Sequence, residues 1–350
     1  MLNGHGDDIY QYDDIRVNFS SNVYNHFNHE PLFAYLANKL DNVVSYPEPS
    51  PLTLEAELAM MMGLQAEEVC VCNGATEAIY LVAQTFRRSK SAVLMPTFSE
   101  YADACRLHEH DVCSFYSLEQ IPERAQLIWI CNPNNPTGVV YSEEVIKKLA
   151  KIMEDKQKEF GTEIYLISDE PYRELAYDGV EVPYLTKYYA NTVVGYSFSK
   201  SLSLPGERIG YLVIPSEMPD YQNVFAAASI ANRILGFVNA PSLIQRAVAK
   251  VIDEQTDIAY YNRNRELLYG SLKEYGFECV KPEGAFYLFV KSPVADEKEF
   301  CNKAKAYNIL MVPGSSFACP GYVRIAYCVA YETIERSLPS FKKLAEEFGL

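Results

Sequence analysis

The sequence predicts an α/β fold: a mostly parallel central sheet covered by helices, joined to a small α+β domain. Three observations carry this. From Val69 onward, short apolar runs end in polar loops and pass into segments with helical spacing, several times over. Apolar runs without alternation suit strands buried on both faces, as in parallel sheets. Beyond Phe277 the texture changes to short strand-like runs with two further helices. Finally, 350 residues, 49% of them hydrophobic, exceed one ordinary core and suit about two domains. The expected division is a large domain over 41–240 and a small one from 1–40 and 241–350.

The elements follow in order. Residues 1–30 are polar, with a short strand expected over 15–20. Apolar residues at 32, 33, 36 and 40 predict a helix over 31–40. The segment 46–51 holds three prolines and must be a turn or extended. A helix over 52–62 stops at Gly63. Strands are expected over 69–72, 92–95, 127–131, 164–168, 192–195 and 209–214. The first runs into a helix that reaches Phe86. Ser142, with Glu143 and Glu144 behind it, caps another. Residues 240–275, with no Gly before Gly270 and no Pro after Pro241, predict one long helix leaving the first domain. Strands over 277–280, 285–290, 309–312 and 322–327 then alternate with helices over 297–307 and 333–348, the last interrupted at Pro339.

Composition removes several classes of function. A net charge of −15 opposes nucleic acid or an anionic membrane as the main partner. The nine cysteines are odd in number and scattered, with no Cys-x-x-Cys, which favours neither a disulfide framework nor a zinc site. No metal site is expected. The first residues carry no leader pattern, and no apolar stretch approaches the length of a membrane span. The expectation is a reduced, cytoplasmic protein.

Ligands of an open parallel sheet sit beyond the carboxyl ends of its strands, and there the polar groups are unusual. Gly74-Ala75-Thr76 opens a helix and offers backbone N–H groups to an anion. Phe98 and Tyr101 are aromatic faces suited to a flat ring. Asn132-Pro133-Asn134-Asn135-Pro136-Thr137-Gly138 is a rigid non-helical loop that can hold out the Asn135 amide. Ser168-Asp169-Glu170-Pro171-Tyr172 carries at least one carboxylate to a partly buried position, where it needs a cation. The run ending Ser197-Phe198-Ser199-Lys200 is followed by Arg208 between two glycines. Lysine condenses with aldehydes, and serine hydroxyls with a guanidinium suit a phosphate monoester. An aldehyde and a phosphate on one small molecule point to pyridoxal 5′-phosphate, whose enzymes also need a carboxylate opposite the pyridinium nitrogen.

Taken together, these motifs and Pro282-Glu283-Gly284-Ala285-Phe286-Tyr287 resemble the class I and II aminotransferases, pyridoxal-phosphate enzymes of the aspartate aminotransferase fold (fold type I). The resemblance runs from about Tyr46 to Arg324. It implies that Lys200 carries the cofactor aldehyde as a Schiff base and moves the α-proton, and that Asp169 pairs with the ring nitrogen. It implies that Asn135 and Tyr172 bond the phenolic oxygen, and that Phe98 stacks on the ring. Gly74, Ala75, Thr76, Ser197, Ser199 and Arg208 would cradle the phosphate. Tyr46 would reach the phosphate of a neighbouring subunit, giving a homodimer with shared sites. Arg324 would grip the substrate α-carboxylate, with Asn22 and Tyr24 also on the substrate.

The opening Gly4-His5-Gly6 and the run Asn18-Phe19-Ser20-Ser21-Asn22 are similar to histidinol-phosphate aminotransferases and threonine-phosphate decarboxylases. From Ser168 to Phe289 the chain looks like general amino-acid aminotransferases. Arg324 is the one basic residue between Phe317 and Cys328, fewer than the phosphate-specific decarboxylases tend to carry. The reading is therefore an aminotransferase acting between an L-amino acid and a 2-oxo acid, with decarboxylation, or histidinol-phosphate transamination, as alternatives.

Overall fold

The computed structural model describes residues 17–21, 23, 28–44, 46, 52–234 and 236–350. Asn22, Tyr24, the start of the strand expected over 15–20 and most of the proline segment lie outside them. In chain order the elements are β1 (Val17–Asn18), α1 (Glu30–Ala37), α2 (Leu52–Met62), β2 (Val69–Cys72), α3 (Ala75–Thr85), β3 (Lys90–Leu94), α4 (Glu100–Leu107), β4 (Asp111–Phe115), β5 (Leu127–Cys131), α5 (Glu143–Phe160), β6 (Tyr165–Asp169), β7 (Thr192–Ser197), α6 (Phe198–Ser201), β8 (Gly210–Val213), α7 (Tyr221–Ile234), α8 (Ser242–Val248), α9 (Ile258–Glu274), β9 (Tyr287–Lys291), α10 (Glu297–Ala306), β10 (Ile309–Leu310), β11 (Val312–Pro313), β12 (Tyr322–Ala326) and α11 (Tyr331–Glu347).

The central sheet has seven strands in the order β2-β8-β7-β6-β5-β3-β4. The pairs β7/β6, β6/β5, β5/β3 and β3/β4 are parallel. Strand β8 runs against both its neighbours. The α/β architecture read from the apolar runs is the one observed. Register then gathers the polar strand ends. Cys131 pairs with Asp169, and Asp169 with Gly195, so the exits of β5, β6 and β7 lie level. Because β8 is reversed, its first residue, Gly210, meets Cys72 and Ser197 at the same edge. Arg208 and the Gly74 turn therefore arrive where the parallel strands end.

The small sheet is β11-β12-β9, antiparallel, and β1 pairs in parallel with β10. Its core includes Phe19, Tyr261, Leu268, Phe286, Leu288, Ile325 and Phe341. Leu32 of α1 and Ile244 and Val248 of α8 instead pack with Val71, Val194 and Tyr211 of the central sheet. On this packing we propose that the small domain takes only the strand around Phe19 from the N-terminal region and begins near α9.

Several expected elements differ. The single helix over 240–275 is two, α8 and α9, with residues 249–257 between them. Asp257 caps α9, its side chain accepting from Tyr260 N, and the Thr256 hydroxyl reaches Ser201 O, so the chain turns there. Segment 277–280 forms only an isolated bridge, Cys279 to Val290. Residues 309–312 split between two sheets. Helix α11 is not interrupted: it continues through Pro339, held by a buried face of Ile334, Phe341 and Leu344. No helix among the described residues is long and apolar enough to cross a membrane.

Candidate active site

Lys200 sits in α6, a single turn that follows β7 directly. Ser197 caps it, its Oγ accepting from Ser199 N at 3.1 Å and donating to Ser199 Oγ at 2.8 Å. Lysine in so tight a turn is buried, 8% exposed. Burial disfavours the ammonium and lowers Lys200 to about 8. The Cys328 thiol and Asp169 carboxylate pull the other way, and the guanidiniums of Arg324 and Arg208 add to the lowering. An amine with that value is neutral often enough near neutrality to act as nucleophile or base.

Asp169 ends β6, buried at the mouth of the sheet. Its Oδ2 accepts from Tyr101 OH at 2.6 Å, while Oδ1 is buried with no hydrogen-bond partner among the described residues. Burial raises Asp169 to about 7; the Tyr101 bond opposes the rise, Glu170 adds to it and Lys200 opposes it. The adjacent Glu170 is fully engaged, accepting from Ser168 Oγ at 2.7 Å and Arg173 Nε at 2.8 Å. Of the two carboxylates, only Asp169 has a buried oxygen without a partner among the described residues.

Lys200 and Asp169 line one cavity at this edge. Ala75 and Thr76, at the start of α3, line it with Ser197, Ser199 and Arg208. Gly74 caps α3 at φ 88, and a Cβ there would stand 3.1 Å from Arg208 Nη2, so the bare backbone lets the guanidinium lie over the turn. Phe98, Asn135 and Tyr172 form other walls. Asn135 Oδ1 accepts from Arg324 Nη1 at 2.9 Å, which leaves its amide nitrogen as a donor. Tyr172 OH lies 2.6 Å from Tyr287 OH, across the contact between the two sheets.

Arg324, in β12, is buried, its guanidinium against the rings of Tyr287 and Phe317. Nη2 donates to Ser20 O at 3.2 Å, and Nε has no hydrogen-bond partner among the described residues. No acidic side chain lies within salt-bridge distance of it among the described residues. Tyr46 does not join the cavity of its own chain and is 99% exposed. Ile79, Cys131, Pro171 and Pro205 complete the lining and were not expected. Nothing in their local sequence sets them apart from core or turn residues. Tyr101, expected as a ring face, turns its hydroxyl to Asp169 instead and stacks on Trp129.

A neutral-prone lysine, a carboxylate with an open oxygen, and an anion cradle at the end of an open α/β sheet define a site for an aldehyde-bearing phosphate ester. Asp169 Oδ1 needs a cation, and the cradle of Gly74 and Arg208 needs an anion, so the residues present fit pyridoxal 5′-phosphate. Comparison with known proteins agrees. The model of the family "Aminotransferase class I and II" matches residues 14–340, and the chain belongs to that family. A solved aminotransferase from Eubacterium rectale superposes with a TM-score of 0.89 at 36% identity, covering 95% of this chain and 91% of its own. Aromatic-amino-acid aminotransferase 2 of Thermococcus litoralis is 29% identical over 363 residues, 91% of this chain and 88% of the relative. An aspartate aminotransferase of Pyrococcus abyssi is 29% identical over 310 residues, 80% of this chain and 77% of the relative. The protein is a pyridoxal-phosphate-dependent aminotransferase. The decarboxylase and histidinol-phosphate alternatives gain no support from these relatives.

Proposed function

We propose that Arg324 receives the α-carboxylate of an L-amino acid, and of the 2-oxo acid that takes up its amino group, with Lys200 moving the proton at Cα. The observation that carries this is Arg324 itself: a buried guanidinium with no carboxylate beside it among the described residues, joined through Asn135 to the cavity that holds Lys200. A buried charge needs a partner, and a planar guanidinium suits a carboxylate. Pyridoxal 5′-phosphate, when bound, supplies an aldehyde that condenses with amines and a ring that withdraws electrons. In this reading the chain's own residues do the rest. Asp169 presents Oδ1 to the ring nitrogen and favours its protonated form. Asn135 donates its amide to the phenolic oxygen. With Tyr287 as donor in their pair, Tyr172 keeps its own proton for the same oxygen. Phe98 covers one face of the ring. Ala75, Thr76, Ser197, Ser199 and Arg208 hold the phosphate, with Gly74 admitting it to the backbone. Lys200, whose amine is neutral above about 8, would take the proton from the substrate Cα.

The names of the relatives support aspartate or an aromatic amino acid as the first donors to try. The test replaces Arg324 by Lys and by Ala. Both variants should raise KM for donor and acceptor alike, by about tenfold or more, while cofactor affinity holds. An unchanged KM for both substrates would remove Arg324 from this role.

We also propose a homodimer. Val44 and Tyr46 are 87% and 99% exposed, close along the chain to the exposed Leu40 and Val43. Apolar groups so placed call for cover. A cytoplasmic setting is supported by the nine cysteines, all of them free thiols.

A further inference from the structure

We propose that Tyr101 is a positioning residue for this reaction: by holding Oδ2 of Asp169, it makes Oδ1 the oxygen offered to the cofactor's ring nitrogen. This rests on the reading of Asp169 given above and extends it to a residue that does not touch the reacting atoms. Tyr101 lies in the first turn of α4, fully buried, and its OH donates to Oδ2 at 2.6 Å. Its ring cannot swing away. It stacks on Trp129 with centroids 5.7 Å apart and meets Phe98 edge-on at 5.9 Å. A carboxylate at a strand end has one soft torsion that would let its oxygens exchange, and a fixed donor on one oxygen removes that freedom.

The same bond matters for charge. The titratable groups facing Asp169 are Tyr101 from α4, Cys131 from the end of β5, its neighbour Glu170 and Lys200 from α6. Burial and Glu170 favour the neutral acid; Tyr101 and Lys200 favour the carboxylate. Without the tyrosine hydroxyl, the pair formed with the ring nitrogen shifts toward a neutral acid beside a neutral ring, the state that withdraws electrons poorly.

The experiment uses the holoenzyme reconstituted with cofactor labelled with ¹⁵N in the ring. Tyr101→Phe keeps the aromatic stack and loses only the hydroxyl. Its ring-nitrogen signal should move toward the unprotonated position. The half-reaction with an amino donor should slow about tenfold or more, with KM little changed. In an Asp169→Asn background, Tyr101→Phe should add little, because a residue acting through Asp169 has nothing left to act on. Should Tyr101→Phe fold poorly, 3-fluorotyrosine at position 101 keeps the shape and is a stronger donor; it should move the nitrogen signal the opposite way. A Tyr101→Phe enzyme with wild-type nitrogen signal and rate, beside an impaired Asp169→Asn enzyme, would overturn the positioning role. An Asp169→Asn enzyme with a protonated ring and normal rate would instead overturn the reading of Asp169 beneath it.

Discussion

At the scale of single residues, the site depends on two groups held away from their ordinary charge states by burial. Lys200 is lowered from 10.5 to about 8, so its amine is neutral above that value and protonated below it. The rate at which apo-protein takes up pyridoxal 5′-phosphate covalently should therefore rise about tenfold per pH unit up to about pH 8 and then level off. Stopped-flow absorbance checks this, with Lys200→Ala as the control that attaches none. A rate still climbing at pH 10 would describe an ordinary solvated lysine. The same shift bears on stability. Between the folded and unfolded values the unfolded chain binds more protons, so Lys200 costs stability below about pH 8 and ceases to as pH rises toward 10.5. Asp169 behaves oppositely, raised to about 7 by burial, and a cation against Oδ1 would restore its charge. Asp169→Asn should keep the cofactor on Lys200 but lose about a hundredfold or more in kcat, as when one preorganised electrostatic group is removed. Asp169→Glu should recover part of that loss. Glu170 cannot stand in, because Ser168 and Arg173 already occupy both its oxygens. A half-reaction of Asp169→Asn within a few-fold of wild type would reduce Asp169 to a strand end.

At the scale of elements, the loop between β5 and α5 ties the site to the turn that precedes β9. Gly138 O accepts from Glu283 N at 2.9 Å and from Gly284 N at 2.8 Å. Gly138 has φ 70, and a Cβ on it would collide with Pro282 Cβ. Gly138→Ala should thus destabilise by about 2 kcal/mol or more, through both strain and overpacking, and weaken cofactor binding as Asn135 shifts. Thermal melts with and without cofactor measure both effects; an unchanged Tm would refute the contact's importance. This loop was legible beforehand because two Asn-Pro pairs and a glycine permit little else. The strands feeding the site were legible for a related reason: continuous apolar runs that stop at a polar group have few other uses. Where local signals compete, the sequence pattern alone does not decide between them. Asp257 is a good helix cap, yet the lack of Gly and Pro across 240–275 concealed the break before it. Pro339 looked like a stop, but the apolar face of α11 buries enough to carry the helix past one missing N–H. Strand β4, half exposed at the sheet edge, has a mixed sequence that no apolar run announces. The tie of Tyr101 to Asp169 spans two elements distant in sequence, and no local pattern encodes it.

At the scale of the whole molecule, one chain leaves apolar groups uncovered in several places. Val44, Tyr46 and Met60 are exposed, as are Ile234 and Phe237 at and beyond the end of α7. Association of two copies would bury such groups at about 25 cal/mol per Å² of apolar surface. Sedimentation at micromolar concentration should show a dimer. We propose further that Tyr46 serves the cavity of the other chain, since it is absent from the lining of its own. Two variants, each expected to be weak alone, separate these statements. Tyr46→Ala spares Lys200, and Lys200→Ala spares Tyr46. In a mixed dimer, one cavity combines the intact lysine of the first chain with the intact tyrosine of the second. Mixing the two under conditions that exchange subunits should then give activity that neither parent has. If Tyr46 served its own chain, every cavity in the mixture would lack either its lysine or its tyrosine, and no activity would return however completely the subunits exchanged.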